Sequence, residues 1–144
     1  MPMEVVRGRP WERPELAPAA LDRAFFEAAA RGELLYQRCP ACDHRQFYPR
    51  LLCTACGGEV GWATASGRGV VHTFTIVRQH GQKPFQGELP YAVAVVELEE
   101  GVRMLGTVTG CAVESVRIGL PVDAYAVECG EGLAVPFWRP AVTG

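Results

Sequence analysis

Cys39-Pro40-Ala41-Cys42-Asp43 and Cys53-Thr54-Ala55-Cys56-Gly57, with ten residues between Cys42 and Cys53, decide how this chain is read. A two-residue interval lets a tight turn bring both sulfurs to one ion at about 2.3 Å, and two such turns complete a tetrahedron of thiolates. The residue after each turn is expected at positive φ. Gly57 reaches that region freely, and Asp43 tolerates it better than most residues. Short strands are expected at 33–38, leading into the first pair, and at 45–48, between the pairs. The resulting ribbon has almost no hydrophobic core, so metal ligation would supply most of its folding energy. Structural zinc is the favoured ion. An iron centre of the rubredoxin kind shares the ligand spacing and stays open. A redox dithiol would normally offer one pair at the start of a helix in a βαβ setting, which is absent here. Four thiolates leave no open coordination position, so the metal is expected to be scaffold rather than catalyst. His44 is surplus to that shell and reads as a surface residue. Cys111 and Cys129 have no ligand spacing and read as buried thiols.

Upstream of the cysteines, Pro2, Pro10, Pro14 and Pro18 predict an extended segment ordered by docking. Pro18 suits the first position of a helix over 18–31, with Leu21, Phe25 and Ala28 on one face and Gly32 as the C-terminal cap. Phe26 widens the apolar stripe, and both rings are expected in the core. Downstream, 61–69 is rich in Gly, Ala, Ser and Thr and reads as a connection between modules. Strands are then predicted at 70–79, 91–99, 102–109, 121–129 and 133–138. Glu100-Gly101 would form a tight hairpin, and 111–119 a connector with a single helical turn. Ala92, Ala94, Val96 and Leu98 share one face, and small residues grading to larger ones fit the inside of a tapering barrel. The fold class is mainly β: an N-terminal extended and helical segment (1–36), a rubredoxin-like zinc ribbon (37–64), and a five-stranded OB-fold barrel (65–144). A five-stranded sandwich or another small barrel is the alternative.

The 144 residues carry 14 basic and 16 acidic side chains, a net charge of −2. Nucleic-acid binders usually show a basic excess, because neutralising phosphates supplies much of their affinity. That excess is missing here, although zinc ribbons and OB-folds also serve as single-stranded nucleic-acid modules, which stays the second hypothesis. No apolar run approaches the roughly 18 residues of a membrane span, and the polar start is unlike a signal peptide. The chain is therefore expected in the cytoplasm with its thiols reduced.

No convincing catalytic set is present. His72 lies between Val71 and Thr73 in a strand and reads as an ordinary packed or half-exposed histidine. Glu97, Glu99 and Glu100 cluster at a strand end as solvated charges. The loop 78–90 holds Arg78, His80, Lys83 and Phe85 between the first two barrel strands, where OB-folds border their binding face. Cations beside an aromatic ring suit a phosphorylated or nucleotide-like ligand; an ordinary polar hairpin loop is the competing reading. An enzyme in its own right would use His72 or His80 as base.

The motif order is also specific. Arg31-Gly32-Glu33-Leu34 runs into the first cysteine pair. Then come Phe47-Tyr48-Pro49-Arg50, the second pair with Gly57, Trp62 and Gly67-Arg68-Gly69. Thr73-Phe74-Thr75, Pro90-Tyr91-Ala92-Val93-Ala94, Glu99-Glu100-Gly101-Val102-Arg103, Ile118-Gly119-Leu120-Pro121-Val122 and Pro136-Phe137 complete the series. Over roughly residues 20–140 the chain resembles the family called domain of unknown function 35, a rubredoxin-like zinc ribbon followed by an OB-fold. Asp43 stands where that family commonly has Gly, and Tyr48-Pro49 where it often has two prolines. The resemblance implies an accessory subunit that carries structural zinc and helps hold acyl-CoA. Its implied partner is a thiolase-like enzyme, usually a dimer and so giving a heterotetramer, of the acyltransferase, thiolase or sterol side-chain aldolase kind.

Overall fold

A computed structural model describes residues 2–142. The elements are β1 (Glu4–Val6), α1 (Ala20–Ala30), β2 (Leu35–Arg38), β3 (Arg45–Gln46), β4 (Gly61–Thr64), β5 (Arg68–Val77), α2 (Lys83–Gln86), β6 (Tyr91–Leu98), β7 (Arg103–Val108), a 3-10 turn (Val113–Ser115), β8 (Pro121–Gly130) and β9 (Leu133–Pro140).

Five strands close a barrel in the order β8-β5-β6-β7-β9, with β8 and β9 pairing to complete the ring. This is the expected OB-fold barrel. Strand β6 lays Ala92, Ala94, Val96 and Leu98 into its interior, all buried, as the alternation predicted. The small residues make room for Trp138, which is fully buried. Gly106 on β7 is part of the same fit: a Cβ there would sit 2.6 Å from Trp138 Nε1. Close packing of this kind leaves no slack for an added methyl group.

Two strands differ from expectation. The connection 61–69 was expected to be irregular, but Gly61–Thr64 forms β4 and pairs with β2 in the register Leu35↔Thr64 to Arg38↔Gly61. It completes a three-stranded ribbon sheet, β3-β2-β4. Short side chains weakened its β signal, and the β2 edge supplied what local propensity lacked. The Pro-rich start does dock, and it does so as a strand. β1 runs parallel to β8 at Tyr125–Val127, on the side that β5 leaves free beyond Asp123.

The helix is shorter than predicted. Ala19 is its extended N-cap, so Pro18 stands before the cap rather than at the first helical position. Gly32 follows the helix at φ +85, as the capping signal required. Phe25 is buried and Phe26 packs against the same core, but Leu21 is exposed, because the helix turns Phe25, Ala28, Ala29 and Ala30 inward instead. Strands β2 and β3 are also shorter than expected, each trimmed by two residues at one end. Cys111 and Cys129 are half-buried rather than buried, since both fall at the ends of barrel segments.

Candidate metal centre and ligand loop

The two cysteine turns are built alike. Cys39 N–H donates to His44 O and Asp43 N–H to Cys39 O, both at 2.8 Å. In the second turn Cys53 N–H donates to Gly58 O at 2.8 Å and Gly57 N–H to Cys53 O at 2.9 Å. Asp43 (φ 64) and Gly57 (φ 77) take the left-handed conformation that the spacing called for. An ion pair between Asp43 and Arg38 Nε holds the carboxyl of Asp43 below its usual range.

The turns bring Cys39, Cys42, Cys53 and Cys56 together, with all four sulfurs within 4.8 Å of one another. Cys39 and Cys56 are 3.6 Å apart, as are Cys42 and Cys53. A tetrahedron with 2.3 Å metal–sulfur bonds has edges of about 3.8 Å, so the donor set fits a four-coordinate divalent ion. Electrostatics agree with that fit. A backbone hydrogen bond at His44 favours the Cys42 thiolate, yet burial and the neighbouring thiols outweigh it and push Cys42 up to about 12. Burial raises Cys53, but the N–H groups of Cys56 and Ala55 and the adjacent thiols bring it down to about 6. The crowded set thus favours one thiolate and holds others back, and a divalent cation removes that restriction. His44 lies beside the shell with Nε2 3.0 Å from Thr54 Oγ1, and it is half-buried rather than fully on the surface.

Two residues that positional reasoning passed over set the second turn. Gln37 and Gln46 are 3% and 7% exposed, the buried polar residues of the chain's described part. Gln46 Nε2 donates to Gln37 Oε1 (2.9 Å) and Leu52 O (3.2 Å), and Gln46 Oε1 accepts from Thr54 N–H at 2.9 Å. Gln37 Nε2 donates to Arg50 O and Gln37 Oε1 accepts from Arg50 N–H. These amides fix residues 50–54 and so aim Cys53. Their only sequence signal was an amide interrupting the buried run Leu35-Tyr36-Gln37.

The loop 78–90 is partly assembled. His80 and Phe85 pack with ring centroids 4.5 Å apart and planes tilted by 31°, and His80 Nδ1 accepts from Gln82 N–H. Arg78 and Lys83 are exposed. The cation beside Phe85 comes from elsewhere: Arg13 lies 5.2 Å from the Phe85 ring and 5.0 Å from the Phe137 ring. It also makes a two-pronged pair with Glu88, Nε to Oε2 at 3.0 Å and Nη2 to Oε1 at 2.7 Å. The N-terminal segment thereby clasps the loop and forms one wall of a groove of about 530 Å³ with Trp11, Tyr125 and Phe137. His72 sits exposed at the irregularity of β5 between Val71 and Thr73. No helix among the described residues is long and apolar enough to cross a membrane.

Comparison with known proteins gives a consistent result. The family model for the ChsH2 rubredoxin-like zinc ribbon domain matches residues 26–61, and the one for the ChsH2 C-terminal OB-fold domain matches 62–127. A probable enoyl-CoA hydratase alpha subunit of Thermomonospora curvata is 39% identical over 94% of this chain; the chain spans 45% of that relative's length. A DUF35 domain-containing scaffold protein of Methanocaldococcus jannaschii is 36% identical, covering 71% of this chain and 73% of its own. Among solved structures, a chain of the Ltp2-ChsH2(DUF35) aldolase superposes with a TM-score of 0.78 at 35% identity, over 90% of this chain and 100% of that one. A DUF35 protein from Sulfolobus solfataricus shares the fold at 14% identity and a TM-score of 0.58. With both of its modules matched in order, the chain belongs to the ChsH2-type DUF35 family, a rubredoxin-like zinc ribbon joined to an OB-fold.

Proposed function

We propose that this chain is a non-catalytic subunit of an acyl-CoA enzyme complex, bound to a thiolase-fold partner and helping to hold the substrate. The observation that carries this is the likeness, at 35% identity, to the whole of a chain in the Ltp2-ChsH2(DUF35) aldolase. A four-thiolate shell agrees with it, since such a shell has no position for a substrate or a reactive water. Cys39, Cys42, Cys53 and Cys56 would hold one structural zinc ion. The metal's chemistry would be confined to charge neutralisation and cross-linking of the two turns. Arg78, His80, Lys83 and Phe85 are the loop residues proposed to meet the ligand. A dimeric partner would take two copies of this chain and give a heterotetramer.

A second reading of the partner has its own support: two relatives are named hydratase alpha subunits, at 39% and 41% identity. Affinity capture of the tagged chain from its native extract, followed by mass spectrometry, separates the readings. Recovery of a stoichiometric thiolase-like protein is expected. A hydratase-like protein in its place moves the chain to the second reading, and recovery of the chain alone counts against both. Metal analysis of the purified chain is expected to give one zinc per chain; iron in its place would revise the centre. The His72→Ala, His80→Ala double variant should keep its turnover at saturating substrate in a reconstituted complex, the loss of His80 acting on substrate affinity alone, and lost turnover with intact assembly would give this chain a catalytic role.

A further inference from the structure

We propose that the groove between the ribbon and the barrel is an anion site for the phosphates of a nucleotide-type ligand. The groove encloses about 400 Å³ and is lined by Arg45, Arg50 and Arg103, with Phe47, Tyr48 and Glu97. Three arginines and one glutamate line it, in a chain whose net charge is −2. Like charges gather against their mutual repulsion, so the fold must hold them in place. It does so for Arg50 through the main chain and for Arg45 through the side chain. The main chain of Arg50 is tied at both N–H and C=O to the buried Gln37 amide, at 2.8 and 2.9 Å. Arg45 Nη1 donates to Glu100 O on the β6–β7 hairpin at 3.3 Å.

The charges are also available. Among the described residues neither Arg45 nor Arg50 forms an ion pair, and Arg103 faces Glu97 at a loose 3.5 Å with both side chains about half exposed. Planar guanidinium forks match phosphate oxygens in two-pronged geometry, which makes clustered arginines more suited to phosphate than to a single carboxylate. Tyr48 is 51% exposed at the groove's edge while its hydroxyl is anchored on Asp22 Oδ2 at 3.0 Å. An anchored, half-exposed tyrosine beside several arginines fits a flat base carrying phosphates. Assigning that ligand to the nucleotide end of a coenzyme A thioester rests on the proposed function; the anion site does not. The groove lies at the Glu97 end of β6 and the loop 78–90 at its Tyr91 end, about 20 Å away along the strand, so mutation separates the two.

The test is calorimetric titration of the full zinc-loaded chain with adenosine 3′,5′-bisphosphate and, separately, with pyrophosphate. Both should bind, the bisphosphate more tightly. Arg50→Ala and Arg103→Ala should each weaken both ligands about tenfold or more, the loss expected for one charge-assisted hydrogen bond. Arg50→Lys should recover part of that loss. Tyr48→Ala should weaken the bisphosphate alone, and Arg117→Ala, which removes an exposed cation outside the groove, should change neither. Zinc content and melting temperature report that each variant is folded. Absence of binding at about 1 mM, or affinity that survives both arginine substitutions, overturns the site. A single-stranded oligonucleotide that displaces the bisphosphate with a steep salt dependence also overturns it, in favour of nucleic acid. Failure of acetyl-CoA to displace a bisphosphate that binds through these arginines removes the acyl-CoA assignment and leaves the anion site standing.

Discussion

Replacing Arg13 by Ala removes the clasp between the N-terminal segment and the loop 78–90. Its contribution follows from its contacts. The paired side chains are 17% exposed at Arg13 and 37% at Glu88, so the ion pair is discounted for solvent to about 0.5–1 kcal/mol. Two cation–ring contacts, at 5.2 and 5.0 Å, add about 0.5–1 kcal/mol each. The sum is about 2 kcal/mol, which corresponds to a roughly 30-fold change in the population of the opened loop. Native-state amide hydrogen exchange reads this directly. The amides of Phe85 and Glu88, which donate to Gln82 O and Phe85 O, should exchange about 30-fold faster in the variant. Barrel amides such as Leu98, bonded to Val102 O at 2.8 Å, should not change. Arg13→Lys keeps the charge but loses the fork, so it should fall between the two. Less than about a threefold acceleration in Arg13→Ala would show that the loop holds itself without the clasp.

Other perturbations reach the barrel, the ribbon and their shared surface. Gly106→Ala drives a Cβ to 2.6 Å from the fully buried Trp138, and overpacking of about 1–3 kcal/mol should lower the melting temperature by about 3–10 °C in zinc-saturated buffer. Gly87, with nothing near its Cβ position, is the control and should tolerate Ala with little change. Gln46→Ala strands Thr54 N–H and Leu52 O and should weaken zinc affinity about 10–100-fold in a chelator competition; unchanged affinity would free the second turn from this amide. The carboxyl of Glu99 is held below its usual range, first by its hydrogen bond to Arg68. Its folded-state value is the lower one, so its stabilising effect is full above about pH 5 and fades as pH falls through 4.5 and below. The melting difference between wild type and Glu99→Gln should therefore shrink on acidification, and a gap that widens would reverse the sign.

Local chemistry made the metal centre legible. Turn spacing, positive φ at Asp43 and Gly57, and four clustered sulfurs all follow from short-range geometry that a sequence displays directly. The barrel was legible for a related reason, since alternation along β6 states which face is buried. What escaped depended on distant partners. β4 is a strand because β2 offers an edge, and β1 because β5 stops short on β8. Arg13 was invisible as a neighbour of Phe85 because 72 positions of chain separate them and no local pattern marks a cation for a remote ring. Gln37 and Gln46 carried no pattern that marked them, and only the bond from Gln46 Nε2 to Gln37 Oε1 across the ribbon, with their bonds to the main chain of residues 50–54, shows why these amides are buried. Leu21 shows the converse limit. Helical spacing placed it on the apolar face, but the inward arc is set by where β9 lies.

The paired amides inside the ribbon have a thermal consequence. Exposing hydrocarbon on unfolding raises heat capacity, whereas exposing polar groups lowers it. The ribbon hides Gln37 and Gln46 alongside Leu35 and Tyr36, so its melting should carry a smaller heat-capacity increment per residue than that of the barrel, whose interior is apolar. The stability of the ribbon should then vary gently with temperature while that of the barrel follows a curved dome. Cooling, which weakens apolar cohesion, would leave the cysteine turns comparatively untouched.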